Sequence, residues 1–192
     1  MRNRFFKWEK IVAINWNTFG NNLQMYFDNF VAQKEDDAAD FLATQYEIAV
    51  LMGVDMMYGN MVTSYNSPGL KSALKTLFKQ LKNLTMGEMV PTLMGTGISN
   101  GLIQFWSGAS LALLVPPPGT VGVVSNMVTS PGTPIPILSM RKGGTQNKSE
   151  FINNLIKFFR QHLSTLSGIT TALVPTPSGA PIPTPFLWGG YG

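Results

Sequence analysis

The chain has 192 residues, long enough for one domain with a hydrophobic core, and contains no cysteine, which excludes disulfides and thiolate metal sites. Charged residues make up only 12%, about half the usual share, and the net charge of +4 is too mild to indicate a nucleic-acid-binding protein. A soluble monomer normally carries more surface charge, so the composition predicts that neighbouring molecules cover much of the surface.

The first part of the chain favours helices. The aromatic-rich stretch from Trp8 to Val31 predicts two short helices with a break near Gly20. The acids at residues 35–40 are typical of a helix start, where carboxylates lie at the positive end of the helix dipole. A metal site or a site for a basic partner is the less favoured interpretation of these acids. The helix that begins there continues to Met52.

The clearest amphipathic helix begins at Ser67, the predicted N-cap, with Pro68 at the first helical position. Its apolar stripe consists of Leu70, Leu74, Leu77 and Leu81. The adjoining stripe consists of Lys71, Lys75, Lys79 and Lys82. A solvated lysine face is the favoured interpretation. The alternative is a face that binds phosphates or anionic lipid, which leaves nucleic acid as a weak candidate partner.

The stretch from Met89 to Met140 contains no charged residue. Its first part, Leu93 to Leu114, predicts a helix interrupted by glycines, each of which lowers helix stability by up to about 1 kcal/mol relative to Ala. Close approach of a neighbouring backbone would compensate. Residues 98–115 raise the question of a membrane span, but they only reach the lower length limit and include polar and glycine residues. A span is therefore not favoured.

Proline and glycine dominate the chain from there to Gly144. One strand is predicted at Thr120–Thr129, suited to pairing at a sheet edge, including the edge of a neighbouring subunit's sheet. Lys148–Thr165 predicts the last helix. The chain after it is uncharged and ends with Trp188 and Tyr191 as large anchors. Rigid Pro-rich segments favour extended geometry, which predicts arms that lie on another surface.

Candidates for chemistry are few. His162 is the only histidine and lies in a helical pattern, where a lone histidine is usually structural or solvated. Without cysteine or a second histidine, zinc sites and thiol catalysis lack ligands. The residues therefore predict no enzyme activity, no cofactor, no metal and no small-molecule substrate. The N-terminus does not match a secretory signal, so we expect no secretion by that route.

The sequence "FWSGA" at Phe105 to Ala109 is followed by a Pro-rich segment, then by "VVSNMVTSPGTPIPI" and a terminal "VPTPSGAPIPTP". In these segments, mainly residues 98–137 and the C-terminal arm, the chain resembles small virion proteins of tailed bacteriophages. The resemblance implies a component of the head-to-tail connection, the tail or the baseplate, where subunits form rings with threefold, sixfold or twelvefold symmetry. It carries over no functional residue, since no catalytic motif belongs to it.

These observations predict a mainly α protein: a small helical domain of four to five helices with long Pro/Gly-rich extended arms and room for one short β-strand or hairpin. Residues 1–115 form the first part of the helical core, and a helix within residues 147–168 completes it. Residues 116–146 form a Pro/Gly-rich arm or loop, uncharged as far as Met140, and residues 169–192 form an extended C-terminal arm.

We expect a non-enzymatic structural subunit of a large symmetric assembly, such as a phage virion assembled in the host cytoplasm. Its arms contact copies of itself and other structural proteins of the same assembly. The alternative is a peripheral membrane-interacting protein that uses the Lys-striped helix 68–84 and the apolar segment 98–115. The predicted subunit-interface residues are Trp106, Val115, Pro116, Pro118, Val121, Val123, Val124, Pro134, Ile135, Pro136, Pro175, Pro177, Pro181, Pro183, Phe186, Trp188 and Tyr191.

Overall fold

The computed structural model describes residues 13–29, 34–57, 59–83, 89–113, 121–122, 125–128, 148–174, 176–177 and 179–192. The helices in these ranges are α1 (Trp16–Asp28), α2 (Glu35–Leu51), α3 (Ser67–Lys82), α4 (Met89–Trp106) and α5 (Lys148–Ser164). The strands are β1 (Asn60–Ser64), β2 (Ser110–Leu113), β3 (Val121–Gly122), β4 (Ser125–Val128), β5 (Ser167–Val174) and β6 (Ile182–Gly189). Helices hold most of the regular structure, which confirms the mainly α prediction, but the sheet exceeds the single strand or hairpin predicted.

The first helix is continuous, and the predicted break near Gly20 is wrong. Asn15 is the N-cap of α1, because its side chain accepts a hydrogen bond from the Thr18 N–H at 3.0 Å. Gly20 lies inside the helix, where a Cβ would come within 3.3 Å of Ile156 Cδ1 on α5. Close packing on α5 offsets the low helix propensity of glycine. Residues 8–12 and 30–31 of the predicted pair lie outside the described residues.

Helices α2, α3 and α4 pack side by side. The N-cap of α3 is Asn66 and not Ser67 as predicted, since the Asn66 side chain accepts a hydrogen bond from the Gly69 N–H at 2.9 Å. The glycines of α4 were predicted to admit a neighbouring backbone, but at Gly97 the close neighbour is a side chain, since a Cβ there would lie 2.6 Å from Leu77 Cδ1. The apolar stripe of α3 therefore packs directly against the glycine face of α4.

Helix α4 ends before its predicted limit at Leu114. Gly108 has a φ of +73°, a left-handed conformation that glycine adopts without steric cost. The Ala109 N–H then donates to the Trp106 carbonyl at 3.0 Å, and the chain enters β2. The prediction of a helix beyond Trp106 is therefore wrong.

The strands form one antiparallel sheet at one end of the helices. β1 pairs with β2, and β4 lies between β2 and β5. β3 and β4 pair with the same edge of β5 at different positions along it. β6 pairs with the opposite edge of β5. The single strand predicted at 120–129 is two short strands in its described residues, β3 and β4, and both pair within this chain's own sheet.

Aromatic side chains fill the core between the helices and the sheet. Trp106 Nε1 donates to Tyr46 Oη at 2.8 Å, and both rings are fully buried. Phe159 packs against Tyr46 with a centroid separation of 4.8 Å, and Tyr191 meets Trp106 edge-on at 5.2 Å. Burial raises the pKa of Tyr46 far above its ordinary value, so its hydroxyl stays neutral. The C-terminus is thus part of the core.

Candidate functional site

A β-hairpin stands where an extended C-terminal arm was predicted. β5 follows α5 directly, and β5 and β6 pair in continuous register from Ser167 opposite Gly189 to Val174 opposite Ile182. Alternate residues of β6 point to opposite faces of the sheet. The two faces of the hairpin differ in burial and therefore in what they can contact.

The inner face of the hairpin packs on the helical core. A Cβ at Gly168 would lie 2.5 Å from Trp188 Cζ2, so only glycine leaves room for this indole. Just beyond β6, Tyr191 Oη donates to the Gly53 carbonyl at 2.8 Å and accepts the Val62 N–H at 3.3 Å. These contacts fix the end of the hairpin to the segment after α2 and to β1.

Three of the predicted interface residues are buried inside this chain. Trp106, Trp188 and Tyr191 are each at most 2% exposed within this single chain. A large aromatic side chain in an uncharged sequence suits a core as well as an interface, and composition alone does not separate the two. Their prediction as subunit contacts is wrong, because these rings have no free surface for a neighbour.

The outer face of the hairpin is apolar and exposed. We define it by Ile169, Thr171, Pro183, Pro185 and Leu187, which share one side of the two strands. Ile169 lies opposite Leu187 in register, and these side chains are 41% and 73% exposed. No Asp, Glu, Lys or Arg occurs from residue 161 to residue 192. The outer face is therefore an uncharged surface on a paired, rigid hairpin.

Both outer strands of the sheet are poor templates for a further strand. Pro183 and Pro185 lie two residues apart on β6 and have no N–H, so they fit the ladder positions whose backbone faces away from β5. On β1, the Val62 N–H is taken by Tyr191 Oη, and the Asn60 N–H donates to Asp55 Oδ2 at 2.6 Å. Contacts with another chain are therefore favoured through the outer face and not through these edges.

The remaining predicted interface residues fall into two groups. Pro177, Pro181 and Pro183 are exposed, Phe186 is half-buried on the inner face, and Val121 lies in β3. Those outside the described residues are Val115, Pro116, Pro118, Val123, Val124, Pro134, Ile135, Pro136 and Pro175.

Sequence reasoning missed Ile169, Pro185 and Leu187. Residues 182–189 alternate in burial, with Phe186 and Trp188 on the covered side and Pro185 and Leu187 on the exposed side, but Phe186, Leu187 and Trp188 are apolar in succession, so the sequence carries no period-two signal. The prolines favoured an interpretation as an extended arm, and only the register with β5 separates the two faces.

The lysine stripe of α3 is paired with the acids at the start of α2. Lys75 contacts Asp40 at 2.9 Å, Lys79 contacts Asp36 at 3.1 Å and Lys82 contacts Glu35 at 2.6 Å. The helix start predicted at these acids is confirmed, and Glu35, Asp36 and Asp37 form the first turn of α2. Lys71 has no ion pair with a described residue. Most of the predicted anion-facing charge is thus neutralised within the chain.

The proposed membrane segment lies largely inside the fold. Ile98, Leu102 and Phe105 of α4 are at most 1% exposed. In the part of the chain that the structure describes, no helix has the length and apolarity needed to cross a bilayer.

Titratable groups do not gather into a metal site within the described ranges, where no three His, Asp or Glu side chains are close enough to share an ion. His162 is buried on α5, and burial lowers its pKa from 6.5 to about 4. Its imidazole is therefore neutral at neutral pH and serves packing rather than charge.

A scan against protein-family models and searches of curated proteins and solved structures found no match to the chain.

Proposed function

We propose that the chain is a non-enzymatic structural subunit of a large symmetric assembly, and that the outer face of the hairpin contacts a neighbouring subunit. The observation that carries this proposal is the exposure of Leu187 and Ile169 on a surface without charged residues. Monomeric proteins rarely expose large contiguous apolar patches, whereas the centres of subunit interfaces are apolar and depleted in charge.

The rigidity of the hairpin supports this role. Pro183 and Pro185 have a fixed φ, and every residue of β6 is in register with β5. Such a surface loses little conformational entropy when it associates. The absence of charge also means that no ion has to be stripped of water, which would cost several kcal/mol for an unpaired charge.

Exposed methionines extend the proposed contact beyond the hairpin. Met56 and Met57 are 70% and 59% exposed in the loop after α2. The Met56 N–H donates to the Gly190 carbonyl at 3.1 Å, immediately after the end of β6. Because methionine side chains are flexible, they fit irregular apolar surfaces of a partner.

Within this class, the assembly we propose is the virion of a tailed bacteriophage, at the neck, tail or baseplate. The support is the sequence resemblance carried by "FWSGA" and the C-terminal Pro-rich segment. The partners would be copies of this chain and other structural proteins of the same particle.

Leu187→Asp tests the proposal directly. A carboxylate at the centre of an apolar contact is costly unless paired, so self-association should weaken by about a hundredfold or more. Ile48→Asp is the matched control, because Ile48 is an exposed apolar residue of α2 outside the hairpin. Sedimentation velocity at equal concentrations compares the two variants. Wild-type association of Leu187→Asp would contradict the proposal.

A further inference from the structure

The chain contains 11 methionines and no cysteine, so methionine is its readily oxidised sulfur residue. Among the described side chains, Met56 and Met57 are 70% and 59% exposed, whereas Met94 is 5% exposed in the core. Met25, near the end of α1, is 62% exposed and lies outside both the hairpin and the loop after α2. Reagents in solution therefore reach all three exposed side chains, of which Met56 and Met57 adjoin the proposed contact.

The loop that carries Met56 and Met57 is held in place by its backbone. The Met57 N–H donates to Asp55 Oδ1 at 3.0 Å, and the Asn60 N–H donates to Asp55 Oδ2 at 2.6 Å. Asp55 is itself 1% exposed, so its carboxylate is a fixed anchor inside the loop. Both methionine side chains therefore lie in solvent on a backbone that is hydrogen-bonded to the fold.

Met56 also lies against the end of the hairpin. Its N–H donates to the Gly190 carbonyl at 3.1 Å, and a Cβ built on Gly190 would come within 2.9 Å of Met56 Sδ. Gly190 follows β6 immediately, and no more than about 11 Å of chain separates it from Leu187. The sulfur of Met56 is therefore next to the surface that we propose contacts a neighbouring subunit.

We infer that Met56 and Met57 form a modification site, at which oxidation by a peroxide prevents the subunit from joining its neighbour. The inference rests on the proposed function and adds a chemical control of the same contact. The unmodified thioether is apolar, and its flexible side chain fits the irregular surface of a partner. A sulfoxide at the same position is polar and chiral, and such oxidation disrupts methionine-rich interfaces.

The reaction transfers one oxygen atom from the peroxide to sulfur. A lone pair on Sδ attacks one oxygen of hydrogen peroxide, an S–O bond forms and the O–O bond breaks. The hydroxide that is released takes the proton from the attacked oxygen and leaves as water. Sulfur is oxidised by two electrons and the peroxide is reduced by two. No other group of the protein takes part, so the reaction needs only that the peroxide reaches the sulfur.

Oxidation acts differently on free and on assembled subunits. In a free subunit, Met56 and Met57 are as open to solvent as Met25. In an assembly, the neighbour covers Met56 and Met57 and leaves Met25 open. A sulfoxide formed before assembly brings an oxygen that has to give up its water in the contact. Self-association then weakens by about tenfold or more, because a buried acceptor without a donor is costly.

Peroxide treatment of dilute, dissociated subunits tests the inference. Hydrogen peroxide is removed with catalase, the chain is concentrated, and sedimentation velocity compares treated with untreated samples. Wild type and the control variant Met25→Leu should each lose association by about tenfold or more. The double variant Met56→Leu with Met57→Leu keeps apolar side chains that peroxide does not oxidise. It should therefore associate equally well with and without treatment.

Peptide mass spectrometry measures the same site without any substitution. The fraction of sulfoxide at each methionine is followed over time in the dissociated and in the assembled wild-type chain. Met56 and Met57 should react more slowly in the assembled chain, because the neighbour covers them. Met25 should react at the same rate in both samples, and equal rates at all three residues would show that the contact leaves Met56 and Met57 open.

Two further results would overturn the modification site while leaving the proposed function in place. One is wild-type association that persists although Met56 and Met57 have been converted to sulfoxides. The other is an equal loss of association in the treated double variant, which would place the sensitive residue elsewhere, as at Met52, which is 41% exposed. A wild-type chain that stays monomeric before treatment would instead contradict the proposed function itself, and the modification site with it.

Discussion

His162 shows how one buried side chain makes the fold sensitive to acid. Its ring is 5% exposed, and Nδ1 has no hydrogen-bond partner among the described residues. Because burial disfavours the imidazolium, the pKa of the folded state is about 4, against an ordinary 6.5. Below pH 6.5 the unfolded chain binds a proton that the folded chain does not. Stability is therefore full above this pH and falls as the pH approaches the folded pKa.

We predict that the free energy of unfolding decreases by about 3 kcal/mol between about pH 7 and about pH 4 because of His162 alone. Urea unfolding at the two pH values measures the decrease. His162→Leu replaces the imidazole with an apolar side chain that still packs in the core but cannot bind a proton. This variant should therefore lack this part of the pH dependence. An equal decrease in the His162→Leu variant would show that other groups cause the acid sensitivity.

At the scale of elements, periodicity predicted α2, α3 and α5 to within about two residues, because each has a clear apolar stripe or helix start. It did not predict β2, a short apolar strand that resembles the continuation of α4 until the glycine turn at Gly108 is known. Nor did it predict the pairing of the α3 lysines with the α2 acids. Spacing along one helix defines a face, but not the element that packs against it.

Two glycines of α4 provide a matched test of helix packing. A Cβ at Gly97 would lie 2.6 Å from Leu77 Cδ1, whereas one at Gly95 would have no atom of the described residues within 4 Å apart from its own helix. Gly97→Ala should therefore destabilise the fold by about 1–3 kcal/mol through overpacking. Gly95→Ala should stabilise it by up to about 1 kcal/mol through helix propensity. Urea unfolding measures both, and equal shifts in the same direction would contradict the close packing of α3 on α4.

At the scale of the whole molecule, the low content of charged residues fits both a buried core and a surface that is covered by a neighbour. Composition predicted a covered surface, but it assigned Trp188 and Tyr191 to that surface although they are core residues of the same chain. The hairpin is formed by the pairing of β5 with β6, and both strands are uncharged, so composition does not distinguish their faces. Which of its faces is free followed only from its register with β5 and its packing on the helices.

Sedimentation equilibrium of the purified wild-type chain over a range of concentrations shows whether it self-assembles. We expect a mass of at least twice 21.0 kDa, which the Leu187→Asp substitution lowers toward that of a single chain. A wild-type mass of 21.0 kDa at every concentration would contradict self-assembly through the hairpin.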